Sequence, residues 1–533
     1  MKWLPGRILP PLPLIAPALL SGVLVTLCFP ITSLGPVVFL ALAPVFVAAL
    51  RHRPGPRDSF RTGLWVGVAC FGTMMWWILM LSPAADATIP LLSKIIPHAL
   101  MMPLLLTPGL MLLAAYLGCY VGLTFLALAY LTRWRLPLFV LAAPALWTLF
   151  EVARCRGELA FPWGVLGYSL SDHPALLQTA DIWGVFGLSF LIVLVNALIA
   201  GMVVARGPRG KAVSGLLACA LAAGLYLYGN AAMTRVQALA APMLRVAVAQ
   251  PNIDLAIKWK PEFKDSTFNQ IDLQSLEASQ QGAQLVIFPE TCAPVYIENA
   301  PQYKSRLEGL AAWLDVPIYV GFLDHRYDGP GETLNIYNSS GVFLPDGTIE
   351  KYDKRHLLPF GEALPLAQRF RSLRKIDFGQ ANFQPGPRRP PLRAAGAAFT
   401  PLICFESVFP DLCREGVEDG SQLLVNVTND GWFGDTPGPY QHAQMSIARA
   451  VEFRRYLVRS ANSGVSMVVA PTGEIVSALS LYQPGVLMAD VKLLGVKTVY
   501  ARFGDMPLIV ICLLLAVAAG LALRVRDRQA PAN

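Results

Sequence analysis

The sequence predicts a polytopic α-helical membrane domain joined to an α/β extracytoplasmic domain. The chain has 533 residues, of which 54% are hydrophobic, and this is too apolar for an ordinary soluble protein of that length. Long apolar runs fill the first 231 residues and return near the C-terminus. From Leu244 to about residue 500, short strand-like runs alternate with amphipathic patterns, which is typical of an α/β domain.

The apolar runs predict eight membrane-crossing helices, since about 20 residues cross the hydrocarbon core of a bilayer. They lie at about 12–29, 35–50, 62–82, 108–131, 137–153, 183–204, 213–230 and 506–523. Segment 88–107 is also apolar, but its prolines, Lys94 and His98 favour an interfacial or broken lead-in to the fourth span. We therefore expect about seven transmembrane helices in 1–231, and a last transmembrane helix with a cytoplasmic tail in 501–533.

Basic residues mark alternate loops and predict their orientation. Arginines and lysines cluster before the first span, at 51–61, at 133–135, at 206–211 and after the last span. By the positive-inside rule these loops are cytoplasmic, which places the 232–500 domain on the opposite side. Arg154 and Arg156 lie in a loop predicted outside, where they either have a function, such as contact with lipid headgroups, or simply do not fit the rule.

The net charge of +8 comes largely from the cytoplasmic arginines and predicts contact with anionic lipid, since no nucleic-acid motif is present. Five of the nine cysteines lie in apolar spans, and the other four are Cys155, Cys292, Cys404 and Cys413. They form no C-x-x-C pair and no zinc spacing, so we expect no metal and no cofactor. A disulfide between Cys292 and Cys413 stays an alternative.

Eight runs in the 232–500 domain predict strands, and several are apolar throughout, as in a sheet buried on both faces. They are LRVAVAQ, QLVIFP, PIYVGF, IYNSSGVF, TPLICF, SQLLVNVT, YLVRSA and VSMVVAP. Helices are predicted at about 263–281, 302–313, 408–418 and 440–454. The tripeptides Pro345-Asp346-Gly347 and Pro471-Thr472-Gly473 predict hairpin turns.

Three residues at predicted strand ends together suit covalent acyl transfer: Glu290 in LVIFPET, Lys354 in KYDKRHLLPFGE and Cys404 in TPLICF. A thiol near its reference pKa is mostly protonated at neutral pH and needs a base, a role that Glu290 suits. The tetrahedral adduct carries an oxyanion, which the Lys354 ammonium would stabilise. Any one of them alone is weak evidence, because a free cysteine after a strand is usually a small core residue.

The motifs LVIFPET, KYDKRHLLPFGE, TPLICFES and TNDGWFG, in this order, resemble the carbon-nitrogen hydrolase (nitrilase) superfamily and its Glu-Lys-Cys triad. The resemblance implies a four-layer α-β-β-α sandwich for 232–500. The flanking apolar segments and the sequence GPYQHAQM resemble in particular the membrane-bound members that N-acylate bacterial lipoproteins.

That resemblance implies transfer of an acyl chain from a phospholipid, usually phosphatidylethanolamine, through a thioester on Cys404. The acceptor would be the α-amino group of the N-terminal S-diacylglyceryl cysteine of an apolipoprotein. We expect a monomer in the bacterial inner membrane, with the catalytic domain on the periplasmic side.

The resemblance also assigns supporting residues. Glu362 and Glu406 are expected to support the triad, with Glu406 on the same side of an extended segment as the thiol. Phe405 stands where the family has a tyrosine, which puts the contribution of that hydroxyl in doubt. The resemblance assigns Trp259 and Trp432 to substrate contact or loop gating, and we group Asn429 with them. Loop packing for Trp432 and a turn role for Asn429 stay alternatives, and His442 is left out of the triad.

Two other functions stay open. A membrane-tethered amidase would use the same triad and release its product to water. A transporter or assembly protein would use a degenerate hydrolase domain for binding only. The three intact residues argue against the second alternative, as do spans without paired intramembrane charges, among which Glu151 is the one near candidate.

Overall fold

The computed structural model describes residues 9–30, 32, 34–81, 98–327, 334–365, 370 and 381–529. Contacts divide the chain into two compact units. The first falls within Met1–Met80, Thr88–Met233 and Phe503–Asn533, and the second within Leu81–Ala87 and Thr234–Arg502.

The first unit is helical. Its helices are α1 Leu12–Thr26, α2 Val38–Ala41, α3 Ala43–His52, α4 Pro56–Met74, α5 His98–Thr132, α6 Leu136–Arg154, α7 Pro174–Leu177, α8 Ala180–Val204 and α9 Pro208–Gln237, with the C-terminal helix Met506–Gln529. Within the described residues, six helical segments are long and apolar enough to cross a membrane: Gly35–His52, Pro103–Thr132, Leu136–Arg154, Ala180–Val204, Pro208–Gln237 and Met506–Arg526. The protein is therefore a multi-pass membrane protein.

Helices α4 and α5 approach closely because glycines face each other. A Cβ atom on Gly67 would lie 2.4 Å from the Cα of Gly118, and one on Gly63 would lie 2.5 Å from the carbonyl of Val121. Small residues at such crossings allow the tight van der Waals packing that associates helices in lipid.

The described part of segment 88–107 differs from the expected broken lead-in. Helix α5 starts at His98 and continues through the fourth predicted span, with Pro103 and Pro108 inside it. Prolines are tolerated within membrane helices, where each removes one backbone hydrogen bond without ending the helix. Residues 88–97 lie outside the described residues.

The two arginines that did not fit the charge pattern both have partners inside the first unit. Arg154 is buried and donates to the carbonyls of Phe161 at 2.7 Å and Trp163 at 2.6 Å. Arg156 forms an ion pair of 2.5 Å with Asp505. Arg154 therefore holds the loop that follows α6.

The second unit contains two six-stranded mixed sheets, in the orders β12-β1-β2-β3-β4-β5 and β11-β10-β9-β8-β7-β6. The first six strands are β1 Met243–Gln250, β2 Leu285–Ile287, β3 Ile318–Tyr327, β4 Leu334–Phe343, β5 Ile349–Asp353 and β6 Leu392–Ala394. The others are β7 Ala397–Ile403, β8 Leu423–Thr428, β9 Tyr456–Ala461, β10 Ser466–Val469, β11 Ile475–Leu479 and β12 Gly485–Lys492. In each sheet three central strands run parallel, β1 to β3 and β7 to β9.

The sheets pack face to face, with helices outside. One apolar cluster joins residues of both sheets, such as Val246 and Val248 with Val425 and Val458. A second cluster covers the outer face of the first sheet and includes Phe268 from the helix over 264–280. The helices of this unit are α10 Leu255–Lys258, α11 Lys264–Gln280, α12 Pro301–Leu314, α13 Pro410–Glu418, α14 Pro437–Phe453 and α15 Val499–Phe503. The predicted fold class, a helical membrane domain with an α-β-β-α domain, is confirmed.

Each of the eight predicted strand runs overlaps a strand, and each of the four predicted helices overlaps a helix. Both predicted turns join antiparallel neighbours, β4 to β5 and β10 to β11, with Gly347 and Gly473 at φ 85°. Strands β6, β11 and β12 were not predicted, and β5 was expected only as the strand that ends before Lys354. The alternative disulfide is not formed, because Cys292 and Cys413 are free and buried.

Candidate active site

The candidate catalytic residues follow three strands of the two packed sheets. Glu290 comes three residues after β2, whereas Lys354 and Cys404 follow β5 and β7 directly. The Lys354 ammonium interacts electrostatically with both Glu290 and the Cys404 thiol. The fold thus brings together three groups that are separated by 64 and 50 residues along the chain.

Lys354 is a buried cation between two carboxylates. Its Nζ lies 2.8 Å from Oε2 and 2.9 Å from Oε1 of Glu362, but 3.7 Å from Oε1 of Glu290. Burial acts to lower the pKa of Lys354, but Glu362, Cys404 and Glu290 outweigh it, so the pKa lies above its ordinary value. Lys354 therefore carries a fixed positive charge at neutral pH.

Glu290 is held by hydrogen bonds to both carboxylate oxygens. The amide of Asn338 donates to Oε1 at 2.7 Å, and the backbone N–H of Asn429 donates to Oε2 at 2.9 Å. Burial raises the pKa of Glu290 above its ordinary value, while the charge of Lys354 opposes this rise. A carboxylate with a raised pKa is a stronger base, which suits proton transfer from a thiol.

Cys404 follows β7 and is the first residue of a 3₁₀ turn over Cys404–Val408, where its backbone is strained. Its φ is 53°, in the left-handed region that residues other than glycine rarely adopt, which is typical of strain at functional sites. The half-buried thiol has a raised pKa because of burial and the nearby Glu290, against the effect of Lys354. The resting thiol is thus protonated and needs a base at the moment of attack.

Glu406 does not share an extended segment with the thiol, because the turn begins at Cys404. It is fully buried, and its carboxylate accepts hydrogen bonds from four groups. These are the Tyr352 hydroxyl at 2.9 Å and the backbone N–H groups of Arg355 at 2.6 Å, His356 at 3.1 Å and Ile403 at 2.8 Å. Glu406 ties the segment after Lys354 to the turn that carries the nucleophile.

Phe405 is buried between the nucleophile and Glu406. Its ring is 3% exposed and packs edge-on against Phe409, at 5.1 Å between centroids. Phe409 in turn contacts His356 in a tilted arrangement, with 4.5 Å between ring centroids. The aromatic cluster therefore supports the same turn from the apolar side.

The two tryptophans are partly exposed, with Trp259 at 43% and Trp432 at 38%. Trp259 follows α10, and Trp432 lies in a short 3₁₀ turn over Asp430–Phe433. Asn429 precedes that turn, and its backbone N–H rather than its side chain contacts Glu290. Its side chain accepts a hydrogen bond of 3.3 Å from Asn462.

Asn338, which lies in β4, is a site residue that the sequence did not predict. Its Nδ2 donates to Glu290 at 2.7 Å and to Glu362 at 3.0 Å, and its carbonyl accepts the backbone N–H of Lys354 at 2.9 Å. One side chain thus sets the spacing of the two carboxylates. The only sequence signal is the polar stretch in the otherwise apolar run IYNSSGVF.

The buried ionic cluster of Asp430, His442 and Arg459 was also not predicted. Asp430 lies 2.9 Å from Nδ1 of His442 and 2.7 Å from the guanidinium of Arg459, and all three are buried. The cluster fixes the start of the Trp432 turn. In the described part of the chain, no group of three or more histidines, cysteines or acidic residues is placed to hold a metal ion.

Two family models match the chain. One is the N-terminal domain of apolipoprotein N-acyltransferases, over residues 21–198, and the other is the carbon-nitrogen hydrolase domain, over residues 245–500. Together they cover most of both units.

Similar proteins match over nearly the whole chain. The chain is 35% identical over 517 residues to the apolipoprotein N-acyltransferase of Geobacter metallireducens, with 95% of each chain covered. It is 32% identical over 545 residues to that of Pseudomonas syringae pv. tomato, with 98% and 99% covered. A solved amidase from Nesterenkonia sp. AN1 is 24% identical over 50% of this chain and 98% of its own, with a TM-score of 0.37.

Proposed function

Because the chain belongs to the apolipoprotein N-acyltransferase family, we propose that it acylates the N-terminal S-diacylglyceryl cysteine of apolipoproteins through a thioester on Cys404. The observation that supports this proposal most is the buried arrangement around Lys354. Its ammonium lies within 3.7 Å of Glu290 and interacts with the Cys404 thiol. A base, a cation and a nucleophile are thus held together.

In the first half-reaction the thiol proton passes to Glu290 as the sulfur attacks an ester carbonyl of the phospholipid. A C–S bond forms, and the resulting oxyanion is stabilised by Lys354. The C–O bond of the ester then breaks, and Glu290 returns the proton to the leaving oxygen. A lysophospholipid departs, and phosphatidylethanolamine is the donor that we propose.

In the second half-reaction the α-amino group of the acceptor attacks the thioester. Glu290 takes a proton from the attacking nitrogen, and Lys354 stabilises the second oxyanion. The C–S bond breaks, Cys404 regains a proton, and the product carries an amide. Phe405 has no hydroxyl, so this chain stabilises both oxyanions without one at that position.

Glu362, Glu406 and Asn338 act in this proposal as supporting residues. Glu362 and Asn338 hold the ammonium and the base apart at a fixed spacing. We assign Trp259 and Trp432 to substrate contact, because both rings are partly exposed on loops of the catalytic unit. Asn429 orients Glu290 through its backbone.

An acyltransferase for lipoproteins works where its substrates are, in a membrane. We propose the inner membrane, with the 232–500 domain on the periplasmic side, seven spans in 1–231 and one in 501–533. The charge pattern of the loops supports this topology. We also propose that the enzyme acts as a monomer.

The test is the intact mass of the purified, detergent-solubilised protein after incubation with phosphatidylethanolamine alone. We expect wild-type protein to gain the mass of one acyl chain and to lose it with hydroxylamine, which cleaves thioesters. Cys404→Ala is the matched control and should gain nothing. Absence of an adduct, together with hydrolysis of simple amides, would favour the tethered amidase instead.

A further inference from the structure

Lys258 is a buried lysine that the acyl-transfer steps leave without a role. It ends helix α10, and its side chain is fully buried. Its Nζ donates to Oγ1 of Thr291 at 2.8 Å and to the carbonyl oxygen of Glu290 at 3.3 Å. Both bonds go to the turn that carries the proposed base.

Lys258 is a second cation near Glu290, in addition to Lys354. Lys354 makes its short contacts with Glu362, at 2.8 and 2.9 Å, and stays 3.7 Å from Glu290. One ammonium therefore serves both the buried carboxylate of Glu290 and the partly buried carboxylate of Glu362. Lys258 supplies a second positive charge next to the backbone of Glu290, and this charge lowers the pKa of the Glu290 carboxyl, though by less than Lys354 does.

We propose that Lys258 is a positioning residue that keeps Glu290 ionised and oriented, so that Glu290 can accept the thiol proton at neutral pH. This inference rests on the proposed acyl transfer. The backbone supports it, because Thr291 has a φ of 45°, a strained value for a β-branched residue. The hydrogen bond from Lys258 to Thr291 holds that strained turn in place.

The protonation of Lys258 is consistent with this role. Burial lowers its pKa to about 8, while Cys292 and Glu290 act in the opposite direction, so the ammonium is charged at pH 7. The other ionisable groups that face the proposed base and nucleophile are Lys354, Glu362 and Asp430. Because a neighbouring cation lowers a carboxylate pKa, removal of the Lys258 charge raises the pKa of Glu290.

The experiment compares the pH profile of wild type with that of Lys258→Met, which keeps the side-chain length but removes the charge. Two reactions of Cys404 are followed by mass spectrometry: acylation by phosphatidylethanolamine, and alkylation by iodoacetamide. We expect the midpoint of the acid limb to move up by about one pH unit in both, which is a tenfold change in proton affinity. Lys260→Met removes the same charge at an exposed site and should leave the midpoint unchanged.

A loss of rate without a shift of the midpoint would assign Lys258 a packing role only and overturn the inference, as would an unchanged profile. Thr291→Ala is the second variant, in case Lys258→Met does not fold. It removes the shorter hydrogen bond, lowers the pKa of Lys258 further, and should move the midpoint in the same direction by less. If phosphatidylethanolamine does not acylate wild type, the proposed acyl transfer is wrong. The role of Lys258 is still supported in that case if the alkylation midpoint differs between wild type and Lys258→Met.

Discussion

The carboxylate of Glu406 accepts a hydrogen bond of 2.6 Å from the backbone N–H of Arg355. Glu406 lies two residues after the proposed nucleophile, and Arg355 lies directly after the proposed oxyanion-stabilising lysine. Because Glu406 also accepts the N–H of Ile403 at 2.8 Å, one side chain joins the two segments. The relative position of thiol and ammonium thus depends on a buried carboxylate that never needs to touch substrate.

Glu406→Gln should weaken both stability and thioester formation. A glutamine keeps one acceptor oxygen but turns an N–H toward a backbone donor, which costs about 1–3 kcal/mol in a buried site. We expect a lower unfolding temperature, and we expect the acyl mass to be gained about tenfold more slowly than in wild type. Tyr352→Phe removes only one of the four donors and should cost about 1 kcal/mol with little change in rate. An equal rate loss in both variants would contradict the positioning role.

Asn338→Asp should be more harmful than Asn338→Ala. The amide of Asn338 donates to both Glu290 and Glu362, so an aspartate would place a third carboxylate between them. Alanine removes only the donor, whereas aspartate adds like-charge repulsion. We expect rate losses of about tenfold for alanine and about a hundredfold for aspartate, measured as thioester formation at pH 7. A milder effect of aspartate would mean that Asn338 does not act through the two carboxylates.

The catalytic unit should lose stability as the pH falls below about 6.5, the ordinary histidine value. Burial and Arg459 lower the pKa of His442, so it stays neutral in the folded protein while it is protonated in the unfolded chain. The unfolded state then binds more protons, and stability falls until the folded pKa is reached. Burial would raise the pKa of Asp430, but Arg459 and His442 lower it to about 2, which adds a further loss between about pH 4 and 2.

Unfolding temperatures of wild type and His442→Gln at pH 6.5 and 5 test this prediction. His442→Gln should have a lower unfolding temperature than wild type at pH 6.5. Its unfolding temperature should fall less than that of wild type between pH 6.5 and pH 5. His52→Gln alters an exposed histidine in the membrane unit and should keep the wild-type slope. An unchanged slope in His442→Gln would assign the acid sensitivity to other groups.

The central strands could be predicted from the sequence because their apolar runs reflect burial on both faces, as in Leu423–Thr428. Strand β11 has only exposed and partly buried positions, and three of the five positions of β5 are only partly buried, so neither shows the apolar run of a central strand. The order of the motifs identified Glu290, Lys354 and Cys404 as candidates, and the fold places them together.

The supporting contacts could not be predicted, since they depend on which strand ends meet. Asn338 looks like one polar residue within a strand, and Lys258 like a solvated lysine beside a tryptophan. Glu406 was expected in an extended segment, but the left-handed φ of Cys404 starts a turn and sends its carboxylate to Arg355. Asn338 meets Glu290 within one sheet, whereas Glu406 meets Arg355 between the two sheets, so these contacts follow from the folded topology and not from the sequence pattern.

The most direct test of the acyl-transfer account is a chase of the isolated acyl-enzyme. Wild-type protein is acylated with phosphatidylethanolamine, separated from lipid, and mixed with a synthetic peptide that carries an N-terminal S-diacylglyceryl cysteine. We expect the protein to lose one acyl mass while the peptide gains it as an amide. Release of the chain as free fatty acid, with the peptide unchanged, would contradict the account and identify water as the acceptor.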